Sequence, residues 1–447
     1  MLSYYAAILT GLVEALFSFH FEGRRPDEPL RLCLGRSGNE AETEDGAEGD
    51  AESDVDRGYA LLHDIFIKNG TAGMVATALE HGLLVLEGEE ALITRFRRDL
   101  NYFSGYSRFR ALRTQVVQEF LEAELQRISC PYVILKGLAM KALGYYPEAW
   151  LRLSSDIDLL VEKKRVYEVG NAMLRAGFVL NENRMLNFVD YSWQRNAEAF
   201  VFTKDQVSVE VHHSPHNNAY LKWEDAHIWG QLPLPGGTQD PAVLYAMENG
   251  RYAFVPELLL LHLLTHYFKH ILGVYRSEES PGHKFIWVID VYAILRHEER
   301  PLDWKRLKAL AKGPFNCYEL CLFVLGLACS FFPSVRTRIP ADIRRDIAAL
   351  QEQDAAAFGL TEADYLHLVC PDAADNEAMM RKMEAYPLRQ FSPMQKRLYK
   401  LTNLLPPPRA LQIQYPYAGK MRLPLLYAKN AKHFMLQRLR KKEAGDG

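Results

Sequence analysis

The sequence predicts an α+β fold, in which a small mixed sheet is flanked by helical N- and C-terminal regions. Two observations lead to this prediction. Apolar residues recur at three- and four-residue steps over long stretches at both ends of the chain, as in amphipathic helices. Between residues 130 and 240 the pattern changes to short β-branched runs and to alternating apolar and polar residues, which favour strands. The chain of 447 residues is long enough for about two to three domains.

The composition is typical of a globular protein and shows no strong charge bias. Hydrophobic residues make up 48% of the chain and charged residues 24%, and the formal net charge is −3. A protein without a global basic field has no general attraction for nucleic acid, so a nucleic-acid partner is disfavoured. The six cysteines are scattered and form no CxxC pair, a pattern typical of buried free thiols in a reducing compartment.

Residues 1–128 are predicted to form a helical N-terminal region. The segment MLSYYAAILTGLVEALFSFHFEG is apolar, but Glu14 interrupts it and no basic residue precedes it, so a secretory signal is not expected. We expect this segment to be too short to cross a bilayer, which requires roughly 20 apolar residues, and interpret it as a core helix of a cytoplasmic protein. Residues 39–56 carry many acids and almost no apolar side chains, which predicts a disordered acidic loop. Helical patterns follow at 72–86 and 111–126.

Residues 129–240 are predicted to form the α+β core. A strand at 132–135 runs into Lys136-Gly137 and a short helix. A second helix at 165–176 ends at Gly177, a frequent helix stop. Further strands are predicted at 157–161, 200–202 and 207–211, and the last two are expected to form a hairpin.

Beyond residue 240 the chain is predicted to return to helices. Residues 241–392 are expected to form a helical domain that completes a cleft. Residues 393–447 are predicted to form a tail that is Pro-rich at first and ends in a basic helix. The helical patterns lie at 257–272, 284–297, 303–312 and 317–332.

The most informative segment is 152–161, RLSSDIDLLV, which carries two closely spaced aspartates. Alternate residues of a strand face the same side, so Asp156 and Asp158 point together while Ile157 and Leu159 face the other way. Two neighbouring carboxylates repel each other unless a cation neutralises them. A hard divalent cation with oxygen ligands, Mg²⁺ or Mn²⁺, is therefore predicted at this position.

A third carboxylate is predicted to join this pair. In the strand VSVEVH the valines share one face, and Glu210 and His212 share the other. If this strand neighbours the strand of Asp156 and Asp158, the three carboxylates converge and can hold two metal ions. His212, on the same face, is predicted to act as a base or to contact a phosphate.

The strand–Lys136-Gly137–helix unit fits a phosphate-binding role. Glycine allows the backbone to approach an anion closely, and a helix N-terminus presents free N–H groups. Lys136 adds a positive charge for a triphosphate. Arg152 and Ser155, which lie next to the aspartates in the sequence, are predicted to hold the same phosphates.

Taken together, these motifs resemble the bacterial "uncharacterised nucleotidyltransferase" family of the DNA polymerase β-like superfamily. The resemblance rests on LKGLAMKALGYYPEAWLRLSSDIDLLV, a helix ending in AGF, and VSVEVHH. It is closest over residues 130–215 and looser to about residue 310. It implies that Asp156 and Asp158 are the metal-binding pair, Glu210 the third carboxylate and Gly137 the glycine of the nucleotide-binding turn. The sequence departs from the superfamily where Lys136-Gly137-Leu138 replaces the usual Gly-Ser.

The function expected from this resemblance is Mg²⁺-dependent transfer of a nucleoside monophosphate (NMP) from a nucleoside triphosphate (NTP) to an acceptor, with release of pyrophosphate. A small molecule, peptide or saccharide is favoured as acceptor over nucleic acid, and no membrane partner is expected. Three alternatives stay open. They are sugar or phosphate transfer in natural-product or polysaccharide tailoring, a toxin-like enzyme acting on tRNA or protein, and a catalytically silent binding module.

Two features of the C-terminal helices allow more than one interpretation. His262, His266 and His270 are spaced four apart and share one helix stripe, which fits a metal site, an edge of the active site, or packing. Asp290 lies in an otherwise apolar helix, and a buried acid needs a partner. It is expected either to face the active site and orient the acceptor, or to pair with a histidine.

Overall fold

The computed structural model describes most of the chain up to residue 361. The described residues are 2–34, 59–60, 62–68, 70–154, 156–181, 199–216, 221, 223–229, 243–271 and 285–361, together with 364, 397, 425, 427 and 428. The predicted acidic loop 39–56, the site residue Ser155 and nearly all of the predicted tail 393–447 lie outside the described residues.

A mixed sheet forms the centre of the described structure, and helices lie before and after it in the chain, which confirms the predicted α+β class. Seven strands follow one another across the sheet in the order β5–β6–β7–β4–β3–β9–β8. Their bounds are β3 Tyr132–Ile134, β4 Asp156–Val161, β5 Val179–Leu180, β6 Ala199–Lys204, β7 Val207–His212, β8 Leu244–Ala246 and β9 Arg251–Phe254.

The helices of the described residues precede, interrupt and follow this sheet. Their bounds are α1 Leu2–Glu22, α2 Ala72–Glu80, α3 Glu90–Arg127, α4 Lys136–Ala142, α5 Val166–Arg175, α6 Ala226–Trp229, α7 Pro256–Ile271, α8 Phe285–Arg296, α9 Trp304–Lys312, α10 Tyr318–Phe331 and α11 Ala341–Phe358. One cluster of buried hydrophobic side chains joins the N-terminal helices, the sheet and the C-terminal helices into a common core.

The N-terminal region differs from the sequence prediction at 72–86. The pattern predicted one helix, but α2 ends at Glu80, and Leu84–Gly88 forms strand β2, which pairs in parallel with β1, Leu30–Leu34. The turn between them uses Gly82 at φ +67°, a backbone conformation that glycine adopts without strain. Leu84 and Leu86 are buried and Val85 is exposed, which is the two-residue alternation of a strand.

Helix α1, Leu2–Glu22, packs as a core helix. The prediction that its segment is too short to span a membrane was wrong, because Tyr4–Glu22 is long and apolar enough to do so by length and composition alone. It is the one helix in the described ranges that meets this test. However, Leu9, Leu12 and Val13 are fully buried inside the protein. This burial supports the interpretation of α1 as part of the core.

The sheet continues past the predicted core boundary at residue 240. Strand β9 pairs in parallel with β3, and β8 pairs with β9 in antiparallel orientation. Neither strand was predicted from the sequence. The boundaries 1–128, 129–240 and 241–392 therefore stay predictions, while the β-structure of the core extends into the third segment.

Candidate active site

Two neighbouring strands at the centre of the sheet carry the acidic side chains. Strands β4 and β7 pair in parallel, with Asp158 opposite Glu210 and Asp156 opposite Ser208. Directly paired residues project to the same face of a sheet. The sequence hypothesis that separate strands bring carboxylates together is thereby confirmed for Asp158 and Glu210.

A compact group of three potential metal ligands lies on this face. The ligand atoms of Asp158, Glu210 and His212 all lie within 4.8 Å of one another. His212 Nε2 is 3.0 Å from Asp158 Oδ1 and 3.4 Å from Glu210 Oε2. Asp156, at the first residue of β4, is not a member of this group, so its predicted role as a metal ligand stays a prediction. The sequence had assigned His212 to phosphate or proton transfer rather than to this cluster.

Lys136 supplies the counter-charge for the acids. Its Nζ lies 2.5 Å from Asp158 Oδ1 and 3.8 Å from Glu210 Oε2. Burial disfavours the charged ammonium, but the carboxylates of Asp158 and Glu210 outweigh that effect and raise the pKa of Lys136 above its usual range. Lys136 is therefore charged at neutral pH, and it partly neutralises the acidic group.

His212 is held by the same carboxylates. Burial disfavours the imidazolium form, but hydrogen bonds to Asp158 and Glu210 outweigh burial and raise the pKa of His212 above its ordinary value. Its Nε2 therefore carries a proton in this arrangement and donates to the acids. This hydrogen bond orients the Asp158 carboxylate. Both side chains are buried, so little solvent competes for the bond.

Gly137, the second residue of helix α4, lies in close contact with the segment that leads into β4. A Cβ atom at this position would lie 2.3 Å from Ser154 Oγ, closer than real Cβ contacts, and a tight 3.1 Å from Arg152 Nη1. A larger residue at position 137 would therefore have to displace the side chains of Ser154 and Arg152, whether or not a nucleotide is bound.

Arg152 and Asp290 form a buried bidentate ion pair. Arg152 Nε donates to Asp290 Oδ1 at 2.9 Å, Nη2 donates to Oδ2 at 2.8 Å, and Nη1 donates to the Leu153 carbonyl at 2.7 Å. Tyr146 and Tyr267 also donate their hydroxyls to this carboxylate. The partner of Asp290 is thus an arginine with two tyrosines, which neither of the two expectations for Asp290 included. The guanidinium of Arg152 is thus engaged within the protein, and its predicted phosphate contact stays a prediction.

Comparison with known proteins bears on this geometry. A model of the family described as "Uncharacterised nucleotidyltransferase" matches residues 62–333, which is more than half of the chain. The chain belongs to this family. No curated protein and no solved structure matches the chain.

Membership in this nucleotidyltransferase family confirms the resemblance drawn from the sequence and indicates transferase activity. The matched region contains every predicted site residue, from Lys136 to His212, and also the Arg152–Asp290 pair. It begins earlier than the closest part of the resemblance, so part of the helical N-terminal region belongs to the family pattern as well.

Lys141 is a half-buried lysine near Asp156 and Asp290 that sequence reasoning did not single out. Burial, together with repulsion from Arg152, lowers its pKa to about 8, while Asp290 and Asp156 act in the opposite direction. Its only signal in the sequence is a second lysine in the short helix after Lys136-Gly137.

The side chains of this site fit a divalent cation. Asp158 and Glu210 offer oxygen donors, and His212 would offer a nitrogen donor after losing its Nε2 proton, a set that suits Mn²⁺ and, through its oxygens, Mg²⁺. Asp156 also raises the pKa of Lys136, so three carboxylates act on this one ammonium. His262, His266 and His270 belong to no ligand group of this kind among the described residues.

Proposed function

We propose that the protein transfers NMP from an NTP to an acceptor with release of pyrophosphate, in a reaction that requires Mg²⁺ or Mn²⁺. One observation carries this proposal. Asp158 and Glu210, on neighbouring parallel strands of a nucleotidyltransferase-family chain, lie with His212 in one compact, largely buried group. Paired carboxylates in such a setting are costly unless they bind a cation.

The metal would be held by Asp158 and Glu210, with Asp156 or His212 completing the set. When bound, the cation would neutralise phosphate charge and activate the attacking oxygen. His212 keeps the Asp158 carboxylate oriented through its hydrogen bond at 3.0 Å. Glu210 is partly exposed, at 20%, whereas Asp158 is only 3% exposed, so substrate reaches Glu210 more easily than Asp158.

The triphosphate would be held at the start of α4. Lys136 brings a positive charge to the carboxylate group, and the first turn of the helix has free backbone N–H groups. Lys141 supplies a second cation near Asp156. Arg152 contributes indirectly, because its pairing with Asp290 holds the 152–154 segment against Gly137. Ser155, outside the described residues, remains a predicted phosphate contact.

The acceptor would be a small molecule, peptide or saccharide. The net charge of −3 supports this class over nucleic acid, since no global basic field would attract a polyanion. Sugar or phosphate transfer on the same scaffold, or a toxin-like action on tRNA or protein, are the alternatives. A cytoplasmic location belongs to the same proposal and rests on the scattered cysteines of the sequence.

The proposal is tested with each NTP labelled at the α-phosphate, in the presence of Mg²⁺ or Mn²⁺ and cell extract as the acceptor source. We expect label transfer and pyrophosphate release, both reduced more than about 100-fold in Asp158→Asn and Glu210→Gln, since even residues that only support metal ligands contribute about 10–100-fold. Glu298→Gln, which alters an exposed acid paired with Arg338, is the matched control and keeps full activity.

Several outcomes separate the alternatives. Full turnover by Asp158→Asn would show that the site assignment is wrong. Transfer of a γ-phosphate label in place of the α-label would identify a phosphate transferase. Growth arrest on expression of the wild type but not of Asp158→Ala would identify a toxin-like enzyme.

A further inference from the structure

Helix α3, Glu90–Arg127, carries a row of large apolar side chains on its exposed side. This row, the α3 stripe, consists of Tyr102, Tyr106, Phe109, Leu112, Val116 and Phe120. Its members recur at three- and four-residue steps, so they share one side of the helix. They include six of the 13 exposed large hydrophobic residues of the described structure, and each is between 41% and 70% exposed. The exposed apolar residues are therefore concentrated on one helix rather than scattered.

Packing within the chain does not account for the α3 stripe. Helix α3 is buried along a different side, through residues such as Leu100, Val117 and Leu121. A helix that packs on one side of a protein is normally polar on the side that faces solvent. The α3 stripe is therefore a second apolar side on the same helix.

The α3 stripe has the size of an interaction surface. A large aromatic side chain can bury about 150–250 Å². Since about half of each of these large side chains is exposed, the stripe presents roughly 600 Å² of apolar surface, the upper end of what a monomer exposes in one patch. Two copies that covered this patch mutually would bury roughly 1,200 Å², which reaches the range of specific, stable interfaces.

The arrangement of the α3 stripe is nearly symmetrical about residue 111. Tyr102 and Phe120 lie nine positions on either side of this point, and Tyr106 and Val116 lie five positions on either side. If two copies of α3 pack antiparallel around residue 111, Tyr102 of one copy lies opposite Phe120 of the other. A two-fold interface uses the same patch on both subunits, so a patch with this internal symmetry suits a second copy of the chain.

The charges along α3 favour the same antiparallel arrangement. Residues 96–108 contain three basic residues and one acid, namely Arg97, Arg98, Arg108 and Asp99. Residues 114–126 contain three acids and no basic residue, namely Glu119, Glu122 and Glu124. Antiparallel packing around residue 111 places each segment beside the oppositely charged segment of the other copy, whereas parallel packing places like charges together. Complementary charges of this kind set the orientation of paired helices.

We propose that two copies of the protein form a dimer through the α3 stripe, with the two α3 helices antiparallel and centred on residue 111. The inference goes beyond the proposed function and does not depend on it, because no member of the α3 stripe belongs to the acidic group of Asp158 and Glu210. The apolar stripe supplies the buried area, and the charged segments fix the direction of the partner helix.

The dimer is tested by analytical ultracentrifugation of the full-length chain over a range of concentrations. We expect a dimer for the wild type, and a dimer Kd raised about tenfold or more in Phe109→Glu and Val116→Glu, since each places a charge in the centre of an apolar contact. Both side chains are exposed, so the variants should fold, and circular dichroism verifies this. Val85→Glu alters an exposed valine of β2 outside the stripe, and this control should dimerise like the wild type.

The direction of the helices is tested by cross-linking with a short bismaleimide. Tyr102→Cys mixed with Phe120→Cys should give a link between positions 102 and 120, identified by mass spectrometry of the linked peptides. Neither variant alone should link this position to itself, because antiparallel packing separates the two equal positions by roughly 27 Å along the helix axis. Links from 102 to 102 or from 120 to 120 would show that the antiparallel arrangement is wrong.

Two results of the ultracentrifugation would overturn the dimer itself. One is a wild-type chain that stays monomeric at every concentration, which would leave the α3 stripe to a different partner. The other is a dimer whose Kd is the same in Phe109→Glu, Val116→Glu and the wild type, which would place the interface elsewhere. Neither result bears on nucleotidyl transfer, which is tested by the turnover of Asp158→Asn.

Discussion

Lys136 combines an uncommon backbone conformation with a specific electrostatic role. Its φ of +48° lies in the left-handed region, which residues with a side chain adopt only at some cost. The ion pairs with Asp158 and Glu210 compensate for that cost. Lys136 therefore acts as the resident positive charge of the acidic group as long as no other cation is bound.

Replacing this charge should destabilise the metal-free protein. We expect Lys136→Met to lower the free energy of unfolding by about 3–5 kcal/mol, because it leaves Asp158 as an uncompensated buried charge. Added Mn²⁺ should raise the melting temperature of Lys136→Met more than that of the wild type, since the ion restores the missing charge. Differential scanning fluorimetry with and without Mn²⁺ measures both effects.

Lys141→Met is the control on the same helix. The pKa of Lys141 is lowered to about 8, so the folded state disfavours its charge, and a neutral methionine should leave stability unchanged or raise it. Equal stability of metal-free Lys136→Met and wild type would contradict the role assigned to Lys136.

At the scale of elements, the Arg152–Asp290 pair connects the segment before β4 to helix α8. The two residues are 138 positions apart in the chain, and Tyr267 extends the connection to α7. Asp290 is fully buried and Arg152 nearly so, and two tyrosine hydroxyls satisfy the remaining acceptor sites of the carboxylate. This network fixes helices α7 and α8 against the segment that leads into β4.

Breaking the network should be costly. We expect Asp290→Asn to lower the free energy of unfolding by about 3–5 kcal/mol, since it leaves Arg152 as a buried charge without a counter-ion. Urea denaturation measures the loss. Glu298→Gln, which breaks the exposed pair with Arg338, should change stability by no more than about 1 kcal/mol. Similar losses in the two variants would show that the Arg152–Asp290 pair has no special structural role.

At the scale of the whole molecule, helix α1 packs against both the core and the C-terminal helices. Phe17 packs edge-on against Tyr146 of the core and Tyr292 of α8, with ring centroids 5.6 Å away in both cases. Glu22 at the end of the same helix pairs with Arg296. The N-terminal helix is therefore part of the common core and not an appended segment.

Shortening the Phe17 side chain should destabilise the entire protein. We expect Phe17→Ala to lower the free energy of unfolding by about 3–5 kcal/mol, because it opens a cavity among buried aromatic rings. Phe21→Ala, one turn later and 46% exposed, should have a clearly smaller effect. Tryptophan fluorescence and far-ultraviolet circular dichroism should follow the same transition. A Phe17→Ala protein as stable as the wild type would show that α1 is not integrated into the core.

The predicted elements correspond well to the structure where the signal is local. The strands of Asp158 and Glu210, the hairpin of β6 and β7, and the helix stop at Gly177 were all predicted from periodicity and turn residues. The parallel pairing of β1 with β2 and the addition of β8 and β9 to the sheet were not. Short strands with distant partners resemble ends of helices or loops when only neighbouring residues are considered.

The sequence by itself determined which side chains share a face, because alternation along a strand and the helical repeat are properties of the local backbone. It thus placed Asp156 with Asp158 on one face and Glu210 with His212 on another. Only the tertiary structure decided that β4 lies beside β7, that Lys136 turns back onto Asp158, and that Arg152 binds Asp290. These contacts join residues 22 to 138 positions apart. They depend on packing and burial across the whole chain, which local patterns do not encode.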